Sequence, residues 1–252
     1  MGPDYIVIGV QKGGTTSLIH HFNQHPDNFT CPTELHFFDE HANYEKGIAS
    51  YEENFSSEKN VGGLIPKVRG EKTPAYSYLP YAIDRIYEHY PGVKLILLFR
   101  EPISRAYSQH NMFHYETAAY NFLPMCEADK FVDPEKIKRG QGSRYYLYRS
   151  SYIRQIEYIL RKFPRTQLHV AISEEVLANP LAEYNKMFSF IGLRELAADE
   201  FCFKKDVFKG EYKSRMREKD FQYLRTFFKP LNERLYKFLG RRVDAWEKKY
   251  LG

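Results

Sequence analysis

Apolar positions in this chain gather into short unbroken runs, and between the runs they recur at helical spacing. Residues 5 to 10 (YIVIGV) form the first run, closed by glycines. Thr16 to Gln24 follows with Leu18, Ile19 and Phe22 on one side, which predicts a strand, a turn and a helix. Residues 94 to 99 (KLILLF) are continuous enough for a strand covered on both faces, and Glu101 to His110 continues as a helix with Pro102 in its first turn. A third strand is predicted over Gln167 to Ile172, with helices over Tyr152 to Lys162 before it and Pro180 to Ile191 after it. Strands alternating with helices predict an α/β fold whose central parallel sheet is flanked by helices on both faces. From about Asn111 to Ser143 polarity is mixed and periodicity weak, which predicts a long loop able to cover a substrate. Beyond Lys213, Phe221, Leu224, Phe227, Phe228, Leu231, Leu235 and Phe238 recur at helical spacing and predict a helix pair packed into the core.

With 252 residues, 43% of them hydrophobic, the chain is long enough to bury one large core, so a single domain spanning residues 1–252 is expected. The formal charge of +5 favours an anionic ligand, but the basic residues are dispersed, which argues against nucleic acid as a partner. Cys31, Cys126 and Cys202 lack the spacing of a metal or redox motif, so free thiols in a reducing compartment are expected. The sequence holds no signal peptide and no run of about eighteen apolar residues. A cytoplasmic protein without a membrane span is the expectation; a Golgi-lumenal one would need an anchor outside this sequence.

The first strand-to-helix turn carries the chemistry. Gly9-Val10-Gln11-Lys12-Gly13-Gly14-Thr15-Thr16 follows the phosphate-loop pattern G-x-x-x-x-G-K-[ST] except that Thr15 stands where the lysine belongs. Three glycines, Lys12 and the hydroxyls of Thr15, Thr16 and Ser17 at a helix N-terminus suit a phosphate. The strand that should end in a magnesium-holding carboxylate, KLILLF, ends instead in Arg100. The loop therefore fits a 5′-phosphate of adenylate type without a metal-bound triphosphate. Arg100 and Ser108, eight residues apart in REPISRAYS, can hold a second phosphate by charge-assisted hydrogen bonds; Arg100 can equally pair with Glu101 or Glu71. In TELHFFD, Glu34 and His36 are candidate proton acceptors beside Phe37 and Phe38, and a desolvated Glu34 would have its pKa raised toward the range of a general base. Lys72, in GEKTPAYSYLP, precedes Thr73-Pro74, where proline imposes an extended backbone that would carry the ammonium over the sheet edge.

Together these stretches resemble the sulfotransferases that use 3′-phosphoadenosine 5′-phosphosulfate (PAPS), and within them the heparan sulfate 3-O- and N-sulfotransferase branch with its bacterial relatives. KGGTTS is similar to that family's 5′-phosphosulfate loop, ELHFFD and EKTPAY to its next two motifs, FREPISRAYSQ to its 3′-phosphate motif, and QLHVAISEEVLANP with FIGL to its later strand and helix. The resemblance implies a P-loop-like fold in which Lys12, Gly13, Gly14, Thr15, Thr16 and Ser17 hold the 5′-phosphosulfate. Lys12 and Lys72 would then lie near the bridging and sulfuryl oxygens, with Arg100 and Ser108 on the 3′-phosphate. It makes Glu34 the general base of a metal-independent in-line transfer that leaves PAP as product. The family's C-terminal Lys-Gly-Arg stretch resembles KGEYKSR here, with Lys209 and Gly210 kept, Glu211 in place of the arginine, and Lys213 or Arg215 as its replacement. The acceptor implied is a hydroxyl, less readily an amine, on a saccharide, lipid or carrier-bound acyl chain. A small-molecule kinase on the same scaffold would need a lysine at position 15 and a strand-end aspartate. A non-catalytic PAP- or anion-binding protein would have lost Glu34 and Lys72.

Overall fold

The computed structural model describes residues 2–56, 66–113, 118–133, 136–137, 145–204 and 215–251. Among these, five parallel strands form one sheet in the order β2-β3-β1-β4-β5. They are β1 (Tyr5–Gly9), β2 (Asn28–Thr30), β3 (Val68–Lys72), β4 (Lys94–Phe99) and β5 (Leu168–Ile172). The helices that bear on the sheet and its edge are, in chain order, α1 (Thr15–Phe22), α2 (His41–Tyr44), α3 (Ile48–Glu52), α4 (Pro80–His89), α5 (Pro102–Phe113) and α6 (Ala118–Ala128). They continue with α7 (Tyr146–Ser150), α8 (Tyr152–Ile159), α9 (Ser173–Ala178), α10 (Pro180–Ile191), α11 (Glu218–Leu239) and α12 (Asp244–Leu251).

The three apolar runs become β1, β4 and β5, side by side at the centre and one flank of the sheet. Successive strand residues point to opposite faces, so a continuous apolar run feeds two cores at once. Ile6, Ile8, Leu95, Leu97 and Phe99 enter one core, closed by α4, α5, α8 and α11; Tyr5, Val7, Ile96 and Leu98 enter the other, closed by α1 and α10. The α/β architecture with helices on both faces is as expected.

Two strands carry no apolar signature. β2 has only three residues, and β3 reads VRGEK although all five residues are buried. Its polar side chains are carried by partners: Tyr51 and Thr73 hydroxyls donate to Glu71 at 2.9 and 2.7 Å, and Lys72 reaches Glu34. The expected loop from 111 to 143 is corrected in part. α5 runs on to Phe113, and α6 places Phe122 and Cys126, one turn apart, in the core. Pro124 inside α6 and the polar residues around it hid that turn from the sequence pattern. At the C-terminus the expected helix pair is present: α11 buries Leu224, Phe228, Leu231 and Leu235, and α12 returns to bury Trp246 completely.

The strand order positions the site. From β1 the chain runs out to β2, returns through β3, and crosses to β4 on the other side of β1. Loops leaving the C-terminal ends of β1 and β4 therefore diverge, which opens a crevice where such sheets take ligands. Register brings the chemistry to this edge: Val7 lies between Lys72 on β3 and Ile96 on β4, two residues before the glycine loop.

Candidate active site

The loop after β1 is built from backbone. Gly13 donates its N–H to Val10 at 2.9 Å, and Val10 donates to the Leu98 carbonyl on β4 at 3.2 Å. A Cβ on Gly13 would stand 2.4 Å from that Leu98 carbonyl oxygen, so no larger residue fits the crossing. Gly14 has φ 96°, a left-handed conformation that glycine adopts freely. α1 then starts without a side-chain cap, and its first intrahelical bond is Leu18 to Gly14 at 3.0 Å. The N–H groups of Thr15, Thr16 and Ser17 are left at the positive end of the helix, the arrangement that suits an anion. Ser173, the first residue of α9, donates its hydroxyl to the Gly13 carbonyl and braces the loop from the β5 side.

Arg100 follows β4 directly and closes the other wall. Its Nη1 donates to the Lys12 carbonyl at 3.3 Å, which ties the two loops together. Neither carboxylate weighed as its partner holds it. Glu101 turns back to cap α5, accepting the N–H groups of Ile103 and Ser104 at 2.8 Å each, and Glu71 is taken by Tyr51 and Thr73. Lys12, Gly13, Gly14, Ser17, Arg100 and Ser104 line a cavity of about 460 Å³, to which Val176, Leu177 and Phe203 contribute apolar surface. Ser108 lies one turn beyond Ser104 on α5, is 5% exposed and is not among the residues that line this cavity. Arg215 is exposed and does not line this cavity among the described residues, and Lys209, Gly210 and Lys213 lie outside those residues.

Glu34 and Lys72, far apart in sequence, meet at the same sheet edge. Lys72 Nζ donates to Glu34 Oε1 at 2.7 Å, Glu34 Oε2 faces His36 Nε2 at 3.3 Å, and His36 Nδ1 faces Asp39 Oδ2 at 3.1 Å. Thr73 N–H donates to the Val7 carbonyl at 3.1 Å and holds this group beside β1. Glu34 keeps 36% of its side chain open to solvent, while Lys72 is nearly enclosed at 6%. Here the expectation of a raised Glu34 pKa is corrected. Partial desolvation pushes it up, but hydrogen bonds from His36 and Lys72, and their charges, outweigh this and hold the carboxyl below its ordinary value.

The glycine loop, the strand-end arginine and the lysine–glutamate pair stand together at one edge, and the model of the sulfotransferase domain matches residues 2–229. The chain belongs to that family. Heparan sulfate glucosamine 3-O-sulfotransferase 5 of Mus musculus is 27% identical over 96% of this chain and 73% of its own length. The 3-O-sulfotransferase 6 of Homo sapiens is 28% identical, over 95% and 72%. Among solved structures, a sulfotransferase from Alicyclobacillus acidocaldarius matches with TM-score 0.74 at 23% identity, covering 98% of this chain and 99% of its own. The sulfotransferase domain of the Synechococcus PCC 7002 olefin synthase matches at TM-score 0.51 and 14% identity, covering 90% and 95%. These structures share the fold. The family match sets aside both the kinase and the non-catalytic alternatives, and this chain is a sulfotransferase enzyme.

Two arginines of this sulfotransferase escaped the sequence reading. Arg105 is fully buried; its guanidinium donates to Ser150 Oγ at 2.5 Å, Gln109 Oε1 at 2.8 Å and the Tyr146 carbonyl at 2.9 Å, and reaches the Gln11 carbonyl at 3.5 Å. Arg149 donates to Gln11 Oε1 at 2.6 Å and to the Tyr78 hydroxyl, with its guanidinium 3.8 Å above the Tyr78 ring. Both fix Gln11, the residue before Lys12, and so hold the loop from below. Arg105 had a sequence signal in its setting between apolar Ile103 and Ala106 within REPISRAYS; Arg149 had none. No helix among the described residues is long and apolar enough to cross a membrane.

Proposed function

We propose that this sulfotransferase transfers the sulfuryl group of PAPS to a hydroxyl of its acceptor, with residues 1–252 acting as one catalytic domain. The observation that carries this reading is the Lys72–Glu34 contact of 2.7 Å at the sheet edge that also bears the uncapped N-terminus of α1. The fit of the donor rests on the same loop: a backbone crossing too tight for a Cβ at Gly13, with N–H groups presented beyond it. PAPS, when bound, supplies the sulfuryl group and departs as PAP. The residues Lys12, Gly13, Gly14, Thr15, Thr16 and Ser17 would hold its 5′-phosphosulfate and Arg100, with Ser108 behind it, the 3′-phosphate. Lys209, Gly210, and Lys213 or Arg215 would close over the nucleotide.

Glu34 accepts the proton of the acceptor hydroxyl as the new oxygen–sulfur bond forms and the bond to PAP breaks. With its pKa held low it is ionised throughout the neutral range, so it acts through placement more than through basicity. Lys72 neutralises charge on the sulfuryl oxygens, the term that dominates such transfers. Among acceptors, similarity to heparan sulfate glucosamine 3-O-sulfotransferases favours a saccharide hydroxyl over a lipid or a carrier-bound acyl chain.

The test compares PAP with ATP and magnesium by thermal shift. PAP at a hundredfold excess over its Kd adds about 2.7 kcal/mol, a rise of roughly 5–10 °C for a chain of this size. A shift with ATP and none with PAP would overturn the donor assignment.

A further inference from the structure

α12 lies beyond the residues matched by the family model, which end at 229, but it forms part of the donor cavity through Ala245 and Lys249. Lys249 Nζ donates to Glu101 Oε2 at 2.8 Å and to Ser104 Oγ. Its side chain is 45% exposed, whereas Glu101 is 2% exposed.

That contact staples α12 to α5. Burial pushes the Glu101 carboxyl up, and the Lys249 charge and hydrogen bond lead the influences that hold it below its ordinary value, but Glu101 has other donors as well. Glu101 already accepts Ile103 N–H and Ser104 N–H at 2.8 Å, Ser104 Oγ at 2.6 Å and Tyr250 Oη at 2.8 Å. Four donors fill the capacity of a carboxylate. Its charge also sits at the positive end of α5, where an anion is favoured. α12 has its own anchor: Trp246 is wholly buried, and its Nε1 donates to Glu174 Oε2 at 3.0 Å. Lys249 thus brings a third cation, beside Lys12 and Arg100, to a cavity whose lining also includes the carboxylates of Glu101 and Glu174, each of which is already engaged by donors. An ammonium has three donors, and Glu101 and Ser104 take two of them among the described residues.

Its position selects the group it would meet. Ser104 and Ser108 are four residues apart on α5 and therefore share a helix face. A phosphate held between Arg100 and Ser108 would lie along this face, and the Lys249 ammonium is hydrogen-bonded there to Ser104. We propose that Lys249 is a ligand for the 3′-phosphate of the donor nucleotide, and that α12 is part of the donor site. The inference rests on the PAPS reading above.

The experiment measures the affinity of PAP and of adenosine 5′-phosphate, which lacks the 3′-phosphate, for the wild type, Lys249→Met and Lys249→Arg. Methionine keeps an unbranched side chain of similar length and removes the ammonium with its hydrogen bonds to Glu101 and Ser104. Lys249→Met is expected to weaken PAP about 10- to 100-fold, the range for a charged hydrogen bond, and to leave adenosine 5′-phosphate within twofold. Lys249→Arg is expected to restore most of the PAP affinity. Equal weakening of both nucleotides, or no weakening of either, would overturn the assignment of Lys249 while the wild type still prefers PAP. A wild type that binds the two nucleotides equally would overturn the donor reading itself.

Discussion

Glu34 was legible as a candidate base from ELHFFD, but its electrostatics were not, because the groups that set them lie elsewhere. Lys72 is thirty-eight positions away and reaches it only when β3 is in place; His36 reaches it through a local turn with φ 49°. The consequence is testable. Glu34→Gln keeps the shape and removes the proton acceptor, so turnover should fall about 10²- to 10⁴-fold while PAP affinity stays near wild type. The pH profile tests the lowered pKa. Glu34 loses its function only when protonated, so the Glu34-dependent acid limb of kcat/KM should lie below the ordinary carboxylate pKa of 4.5. A limb between pH 6 and 7 that vanishes in Glu34→Gln would restore the raised pKa read from the sequence. Undiminished turnover would remove Glu34 from the mechanism.

At the scale of elements, the loop between β1 and α1 makes the sharpest prediction. The nearest atoms to a Cβ at Gly13 are the carbonyl oxygens of Leu98 and Val10, at 2.4 and 2.9 Å. Both are backbone atoms, one on β4 and one in the loop itself, and cannot swing aside as a side chain would. Gly13→Ala should cost about 1–3 kcal/mol, read as a lower melting temperature, and weaken PAP at least tenfold because the N–H groups are re-aimed. Gly92, where a Cβ would meet nothing within 4 Å, is the control and should tolerate alanine. If the two variants behave alike, tight packing does not shape this loop. The same contrast explains which elements the sequence disclosed. β1, β4 and β5 were legible because strands buried on both faces must be apolar throughout. β3 was not, since its burial is carried by hydrogen bonds, from Tyr51 and Thr73 to Glu71 and from Lys72 to Glu34, rather than by apolar side chains. The helical spacing of α11 disclosed its packing face. It said nothing of α12's second role, because only the return of the chain after Gly240 carries Lys249 to Glu101.

At the scale of the whole molecule, buried ionisable groups away from the site govern how stability responds to pH. Burial pushes the Glu71 carboxyl up from 4.5 to about 7, and the Asp129 carboxyl up from 3.8 to about 8 against the opposing pull of the Leu147 N–H and Arg105. Burial acts on His169 with the opposite sign, lowering it from 6.5 to about 4. Between pH 4 and 6.5 the unfolded chain binds a proton at His169 that the folded chain refuses, so this group adds stability as pH rises, and above 6.5 its contribution is constant. The two acids run the other way. Above their unfolded values the folded chain retains protons that the unfolded chain has lost, so stability falls until pH passes about 7 for Glu71 and about 8 for Asp129. From pH 6.5 to 8 the acids act without the opposing histidine, and the loss should total about 2 kcal/mol, or roughly 5 °C in melting temperature. Asp129→Asn isolates the larger part, because the amide oxygen can still accept the Leu147 N–H that Asp129 Oδ2 accepts at 3.0 Å. That variant should melt with a much shallower slope over this window. An unchanged slope would mean that Asp129 is ionised in the folded protein and is held by Arg105 and the Leu147 N–H instead of by its proton.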